Sequence, residues 1–134
     1  MKGFAFVLTV VAAIMAFSCR SGGSGSSTSA PRSYQTRSNE GEVALELTPQ
    51  VVADGTLRIS IRATTHSGDL AELNLANAMA LDAEGKTYRP VSATPIEGHH
   101  ASGSVTFALA RIPDSFVVTV TGVRTMPALR FEWP

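Results

Sequence analysis

Leu-Arg-Ile-Ser-Ile-Arg-Ala, the sequence of residues 57–63, alternates strictly between apolar and polar side chains. Successive side chains of a β-strand point to opposite faces, so this period of two predicts a strand with one buried face and one face in water. Antiparallel sheets commonly leave one face solvated, whereas parallel sheets are covered on both. The stretch therefore predicts an antiparallel sheet that packs one face on a core.

Four further segments show the same alternation, and turn residues separate them. Asp54-Gly55, Gly85 and Pro113-Asp114 supply the positive φ of glycine or the preset φ of proline that turns require. We therefore expect a series of short strands joined by reversals. The apolar positions of the four segments are Val43, Leu45 and Leu47; Val105, Phe107 and Leu109; Phe116, Val118 and Val120; and Leu129, Phe131 and Trp133.

The segment that contains Leu73, Leu75, Met79 and Leu81 is open to two interpretations. These residues lie on one side of a strand only if a bulge near residues 76–77 shifts the phase of the alternation. A short helix is the alternative. Both interpretations place apolar side chains of this segment in the core.

The pattern as a whole predicts the fold class. About seven short strands, with turns every 8 to 12 residues, resemble a single immunoglobulin-like antiparallel β-sandwich, and a small open barrel is the alternative. The expected domain covers residues 42–134. It would contain no disulfide, because Cys19 is the only cysteine of the chain and lies outside it. The apolar core must therefore stabilise the domain alone.

The N-terminus carries a second pattern, which begins at Lys2 and ends at Cys19. The apolar run between them, residues 4–17, would be about 21 Å long as a helix, which is shorter than the hydrocarbon core of about 30 Å. That length is typical of a signal peptide. Small Ala16 and Ser18 stand three and one positions before the cysteine, so the segment resembles a bacterial lipoprotein signal. The resemblance implies that residues 1–18 are removed and that the thiol of Cys19 carries lipid.

Residues 19–41, which begin with Cys19, are predicted to form a flexible linker. They are rich in glycine and serine and bury too little apolar surface to offset the entropy of ordering. The resemblance implies a lipoprotein of the cell envelope that faces the periplasm or the exterior. Arg20 directly follows the cysteine, where an aspartate would resemble an inner-membrane retention signal. The outer membrane is therefore favoured in an organism with two membranes.

Composition and motifs exclude several classes of function. Eleven basic and eleven acidic residues balance, and removal of the signal peptide would take away Lys2 alone, so no basic footprint for nucleic acid is expected. The sequence contains no nucleophile elbow, no zinc-protease motif and no phosphate-binding loop. Asp82 and Glu84 flank a glycine turn, where acidic residues are typical turn formers. We therefore predict that the protein is not an enzyme.

The three histidines lie in two of the predicted connections between strands. If every strand reverses direction, the connections at residues 65–71, 94–102 and 123–127 share one end of the sandwich. Imidazole is the commonest metal ligand, and Asp69 or Glu97 could add an oxygen, so this end could hold zinc or copper. The candidate ligands are His66, Asp69, His99 and His100.

Two other interpretations of these histidines stay open. The imidazoles and the neighbouring hydroxyl groups could bind loop backbone groups, with a purely structural role. They could instead form a polar contact surface for a partner.

Two hypotheses for the whole protein follow. One is a non-enzymatic envelope lipoprotein whose sandwich is an interaction or structural module for another envelope protein. The other is a lipoprotein that binds zinc or copper through its histidines.

Overall fold

The computed structural model describes Arg32, residues 34–124 and residues 126–134. The expected signal peptide and Cys19 lie outside these residues, as does most of the expected linker. Nine strands, one α-helix and one 3₁₀ turn form in this part of the chain. The strands are β1 (Arg37–Ser38), β2 (Val43–Ala53), β3 (Thr56–Thr65), β4 (Met79–Ala83), β5 (Lys86–Tyr88), β6 (Ser92–Ala93), β7 (His100–Ala108), β8 (Phe116–Val120) and β9 (Leu129–Trp133).

The strands form two antiparallel sheets. One has five strands in the order β1-β2-β3-β7-β6, and the other has four in the order β5-β4-β8-β9. The orders β2-β3-β7-β6 and β4-β8-β9 correspond to the A-B-E-D and C-F-G sheets of the immunoglobulin-type sandwich. The prediction of an all-β, immunoglobulin-like sandwich is therefore confirmed. In the described residues no strand pair joins the two sheets, which distinguishes this arrangement from the alternative open barrel.

The core lies between the sheets and follows the predicted alternation. Leu57, Ile59, Ile61 and Ala63 of β3 are each 2% exposed or less. The inward positions predicted for β2, β7, β8 and β9 are also buried, except that Leu129 is half-buried. Burial of these aliphatic and aromatic side chains stabilises the sandwich, as expected of a domain without a disulfide.

The ambiguous segment forms a short helix and then a strand. A 3₁₀ turn (Leu70–Glu72) and helix α1 (Leu75–Ala78) precede β4. The side chain of Asn74 caps α1 by accepting a hydrogen bond from the amide of Asn77 at 3.3 Å, as N-cap residues typically do. Four residues are too few to display a helical period, so the sequence pattern left this helix undecided. No helix of the described residues is long and apolar enough to cross a membrane.

Packed structure begins before residue 42, the predicted start of the domain. Strand β1 pairs with β2, and the indole N–H of Trp133 donates a hydrogen bond to the carbonyl of Gln35 at 2.7 Å. The ring of Tyr34 packs edge-on against Phe116, with 5.3 Å between ring centroids. Two paired residues and one aromatic ring give no periodic signal, which is why the sequence pattern does not reveal them.

Candidate functional site

The predicted loops meet at one end of the sandwich, which we call the histidine end. The amide of Thr65 donates to the carbonyl of His99 at 2.9 Å, and the amide of Leu70 donates to the carbonyl of Gly98 at 2.9 Å. Arg124, in the loop after β8, forms an ion pair with Glu72 at 2.8 Å. The expectation that these three connections share one end is confirmed.

The histidine side chains at this end are all exposed. His100 pairs with Thr64 across β3 and β7, and its Nδ1 lies 3.2 Å from the Thr64 hydroxyl. His66 donates its backbone amide to the carbonyl of Glu42 at 3.0 Å. Within the described ranges, no group of three or more histidine, cysteine, aspartate or glutamate residues is positioned to hold a metal ion. The loops therefore converge without assembling the predicted ligands around one point.

Asp69 holds two of the loops together. Its Oδ1 atom accepts hydrogen bonds from the amide of Ala71 at 2.8 Å and from the amide of Gly98 at 2.7 Å. These two amides hold the pKa of the Asp69 carboxyl below its usual value, and the nearby His99 adds a smaller effect in the same direction. Asp69 thus caps the 3₁₀ turn and links it to the loop before β7.

The opposite end contains a broad surface depression of about 620 Å³. Phe116 and Trp133, stacked with 5.1 Å between ring centroids, contribute to its lining. The carboxylates around it have partners within the sandwich. Glu84 binds Arg111, Asp82 accepts a hydrogen bond from Thr87, and Glu132 binds Arg130. The contacts of Asp82 and Glu84 lie at the β4–β5 turn, where Glu84 adopts a φ of 51°, whereas Asp82 itself lies in β4.

The outer face of the five-stranded sheet carries a continuous line of hydroxyl groups, which we call the hydroxyl row. Each strand contributes one hydroxyl residue, either within the strand or next to its end. The strand register places these residues opposite one another across the sheet. The two outermost contacts, Thr36 with Thr48 and Thr94 with Ser104, are 2.7 and 3.4 Å. Five strands about 4.8 Å apart spread the row over about 19 Å. Its members are Thr36, Thr48, Ser60, Ser104 and Thr94.

Two arginines of β3 flank the hydroxyl row. Arg58 and Arg62 stand two residues before and after Ser60, so all three lie on the same face and the arginines are about 13 Å apart along the strand. The Nη1 atom of Arg62 lies 3.9 Å from Oε2 of Glu46, which is a long distance for an ion pair. The side chain of Arg62 is 81% exposed. In the part of the chain described by the structure, Arg58 forms no ion pair. The outer face is thus rich in hydroxyl groups and carries two exposed arginine side chains.

The alternation along β3 predicts that Arg58, Ser60 and Arg62 face solvent, but it does not predict a site. The signal was present as serine or threonine at alternate positions of residues 102–106 and at Ser60. Only the register between strands aligns these hydroxyl groups into one row. No model of a known protein family matches this chain, and no curated protein or solved structure is significantly similar to it.

Proposed function

We propose that this protein is a non-enzymatic lipoprotein of the cell envelope, anchored by lipid on Cys19, whose sandwich binds another envelope protein. The observation that supports the binding role is the outer face of the five-stranded sheet. It presents the hydroxyl row between Arg58 and Arg62, and the partner that fits this face is an acidic protein surface.

The chemistry of the outer face suits a protein partner. Serine and threonine side chains are short, so covering them costs less conformational entropy than covering long, flexible side chains. Each hydroxyl both donates and accepts hydrogen bonds, so it can match many polar groups. Arginine binds carboxylates through two parallel hydrogen bonds and is enriched at the centres of protein interfaces. Carboxylates spaced to meet Arg58 and Arg62 would therefore fix the orientation of the partner.

The proposed anchor would keep this face close to a membrane. Fourteen residues separate Cys19 from Tyr34, whose ring packs against Phe116 of the sandwich. Even fully extended, they span at most about 50 Å. A partner in the same membrane, or in a layer next to it, lies within that distance. In an organism with two membranes, we place the anchor in the outer membrane on the basis of Arg20.

The metal-binding alternative has less support than the outer face. The Asp69 carboxylate already binds two backbone amides, and the imidazole of His100 contacts the Thr64 hydroxyl. A metal would have to compete with these contacts. We therefore retain zinc or copper binding only as a hypothesis for direct measurement.

Lipid attachment is tested by labelling cells with a fatty-acid analogue. The wild-type chain should incorporate the label and sediment with membranes, whereas Cys19→Ala should lose both properties because its side chain has no thiol to acylate. Equal labelling of the two chains, or a mature protein that still contains Met1, would contradict the anchor.

Partner binding is tested by quantitative co-purification from envelopes after brief cross-linking. The variant Arg58→Ala/Arg62→Ala should recover much less of a specific partner, and recovery with the wild type should fall as salt is raised, since exposed charges are screened. Arg89→Ala, which removes an exposed arginine from the β5–β6 connection, is the matched control and should behave as wild type. Equal losses with both variants would contradict the assignment of the outer face.

A further inference from the structure

Strand β9 is the longest edge strand that the structure describes. It has five residues and, within the described part of the chain, pairs with β8 alone. The other edge strands are two or three residues long, which is how proteins commonly protect sheet edges. Trp133 of β9 contacts Gln35 through its indole ring, yet no backbone hydrogen bond joins residues 34–38 to β9 among the described contacts.

The sequence of β9, Leu-Arg-Phe-Glu-Trp, is complementary to itself in the antiparallel direction. With a two-fold axis at Phe131, Arg130 of one copy faces Glu132 of the second copy, and the reverse pair forms as well. Opposite charges directly across an antiparallel pair are stabilising, and like charges are destabilising. The exposed side chains of β9 therefore favour this pairing.

The same charges disfavour the neighbouring registers. A shift of two residues would place Arg130 opposite Arg130 of the second copy, or Glu132 opposite Glu132. A shift of one residue would turn the inward side chains of the second copy towards solvent. One antiparallel register remains in which charge and burial agree.

The apolar side of β9 supports the same register. Leu129 is half-buried, whereas Phe131 and Trp133 are buried. In the symmetric pairing Leu129 faces Trp133 of the second copy, so its exposed part is covered. Pro134 lacks an amide hydrogen and follows the strand directly, which limits the pairing to the five residues of β9.

We infer that a second copy of this chain pairs antiparallel with β9 about an axis at Phe131, which joins two four-stranded sheets into one of eight strands. The surface is separate from the outer face of the five-stranded sheet, so self-pairing and the proposed partner binding are independent. Five paired residues make a small interface, and we expect it to be weak in solution. Confinement of anchored copies to one membrane would raise their effective concentration.

Charge exchange tests this pairing with matched variants. Arg130→Glu gives two acidic residues in β9, and Glu132→Arg gives two basic ones. Each variant alone should dimerise at least about tenfold more weakly than wild type, because both cross-strand pairs become repulsive. An equimolar mixture of the two should recover dimers, since acidic strands then face basic ones. The ion pair within each strand stays broken in the mixture, so recovery reports pairing between chains only.

The measurement is sedimentation of the full chain in a large excess of nonionic detergent micelles, at protein concentrations up to roughly 100 μM, a range suited to small interfaces. The double exchange Arg130→Glu/Glu132→Arg restores complementarity and should dimerise as wild type does. Circular dichroism of every variant checks that the fold is intact. A monomeric wild type, single variants that dimerise as well as wild type, or a mixture without recovered dimers would each overturn the proposal.

Discussion

The two faces of strand β3 have opposite characters, although they alternate along one short stretch of chain. On the inner face, Ile59 and Ile61 are 0% and 2% exposed. On the outer face, Ser60 is exposed and the side chain of Arg62 is 81% exposed. Burial of the inner side chains provides stability, whereas the outer side chains bury little and are available to a partner. The effect of a substitution in β3 should therefore depend on the face rather than on distance along the chain.

The largest expected effect is on the inner face. Ile61→Ala should lower the free energy of unfolding by about 2–5 kcal/mol, because it removes buried methyl groups and leaves a cavity. Arg62→Ala, the adjacent residue on the outer face, should change it by less than about 0.5 kcal/mol. Chemical denaturation of residues 32–134 measures both. Similar losses from the two variants would show that the faces of β3 do not differ in this way.

A smaller loss of stability is expected at the histidine end, where the hydrogen bonds of Asp69, rather than burial in the core, hold the loops together. Because the pKa of Asp69 is lower in the folded protein, its contribution to stability is present above the ordinary carboxyl pKa, near 4, and is lost as pH falls through the lower folded value. Asp69→Asn should therefore reduce stability at neutral pH and make it less sensitive to acid below about pH 4. Thermal unfolding at a series of pH values measures this, and parallel pH profiles for variant and wild type would contradict it.

The alternation along strands was enough to predict the inner face but not the outer site. The inward side chains of β3 can be predicted from the local pattern alone, because the alternation of apolar and polar residues is visible within a single strand. The hydroxyl row depends on the register between strands far apart in the chain, such as Ser60 with Ser104. Short sequence patterns carry no record of that register, so they could not reveal the row.

The histidine end shows the same limit for side-chain chemistry. The sequence correctly predicted that the loops of His66 and His99 meet, because β5 and β6 run in the same direction and act as one strand in the count. It could not predict that the Asp69 carboxylate binds the amides of Ala71 and Gly98, since that contact depends on loop conformation. Topology thus predicted which loops meet but not what their side chains bind.

The smallest expected effect concerns metals at this end. Because the predicted ligands are exposed and do not converge in the described residues, we expect zinc and copper to bind no more tightly than about 100 μM at neutral pH, weaker than a mononuclear site with short ligand distances. Calorimetry of wild type and of His66→Ala measures this. Tighter binding that is lost in His66→Ala would favour the metal hypothesis over the outer face.

The most direct test of the outer face is site-specific photo-cross-linking in intact cells. A photoreactive residue at Ser60, in the middle of the five-stranded sheet, is compared with one at Thr119, in the middle of the four-stranded sheet on its outer side. We expect one discrete adduct with another envelope protein from position 60, lost in Arg58→Ala/Arg62→Ala, and no such adduct from position 119. No adduct at position 60, equal adducts from both positions, or an adduct that persists without the two arginines would contradict it.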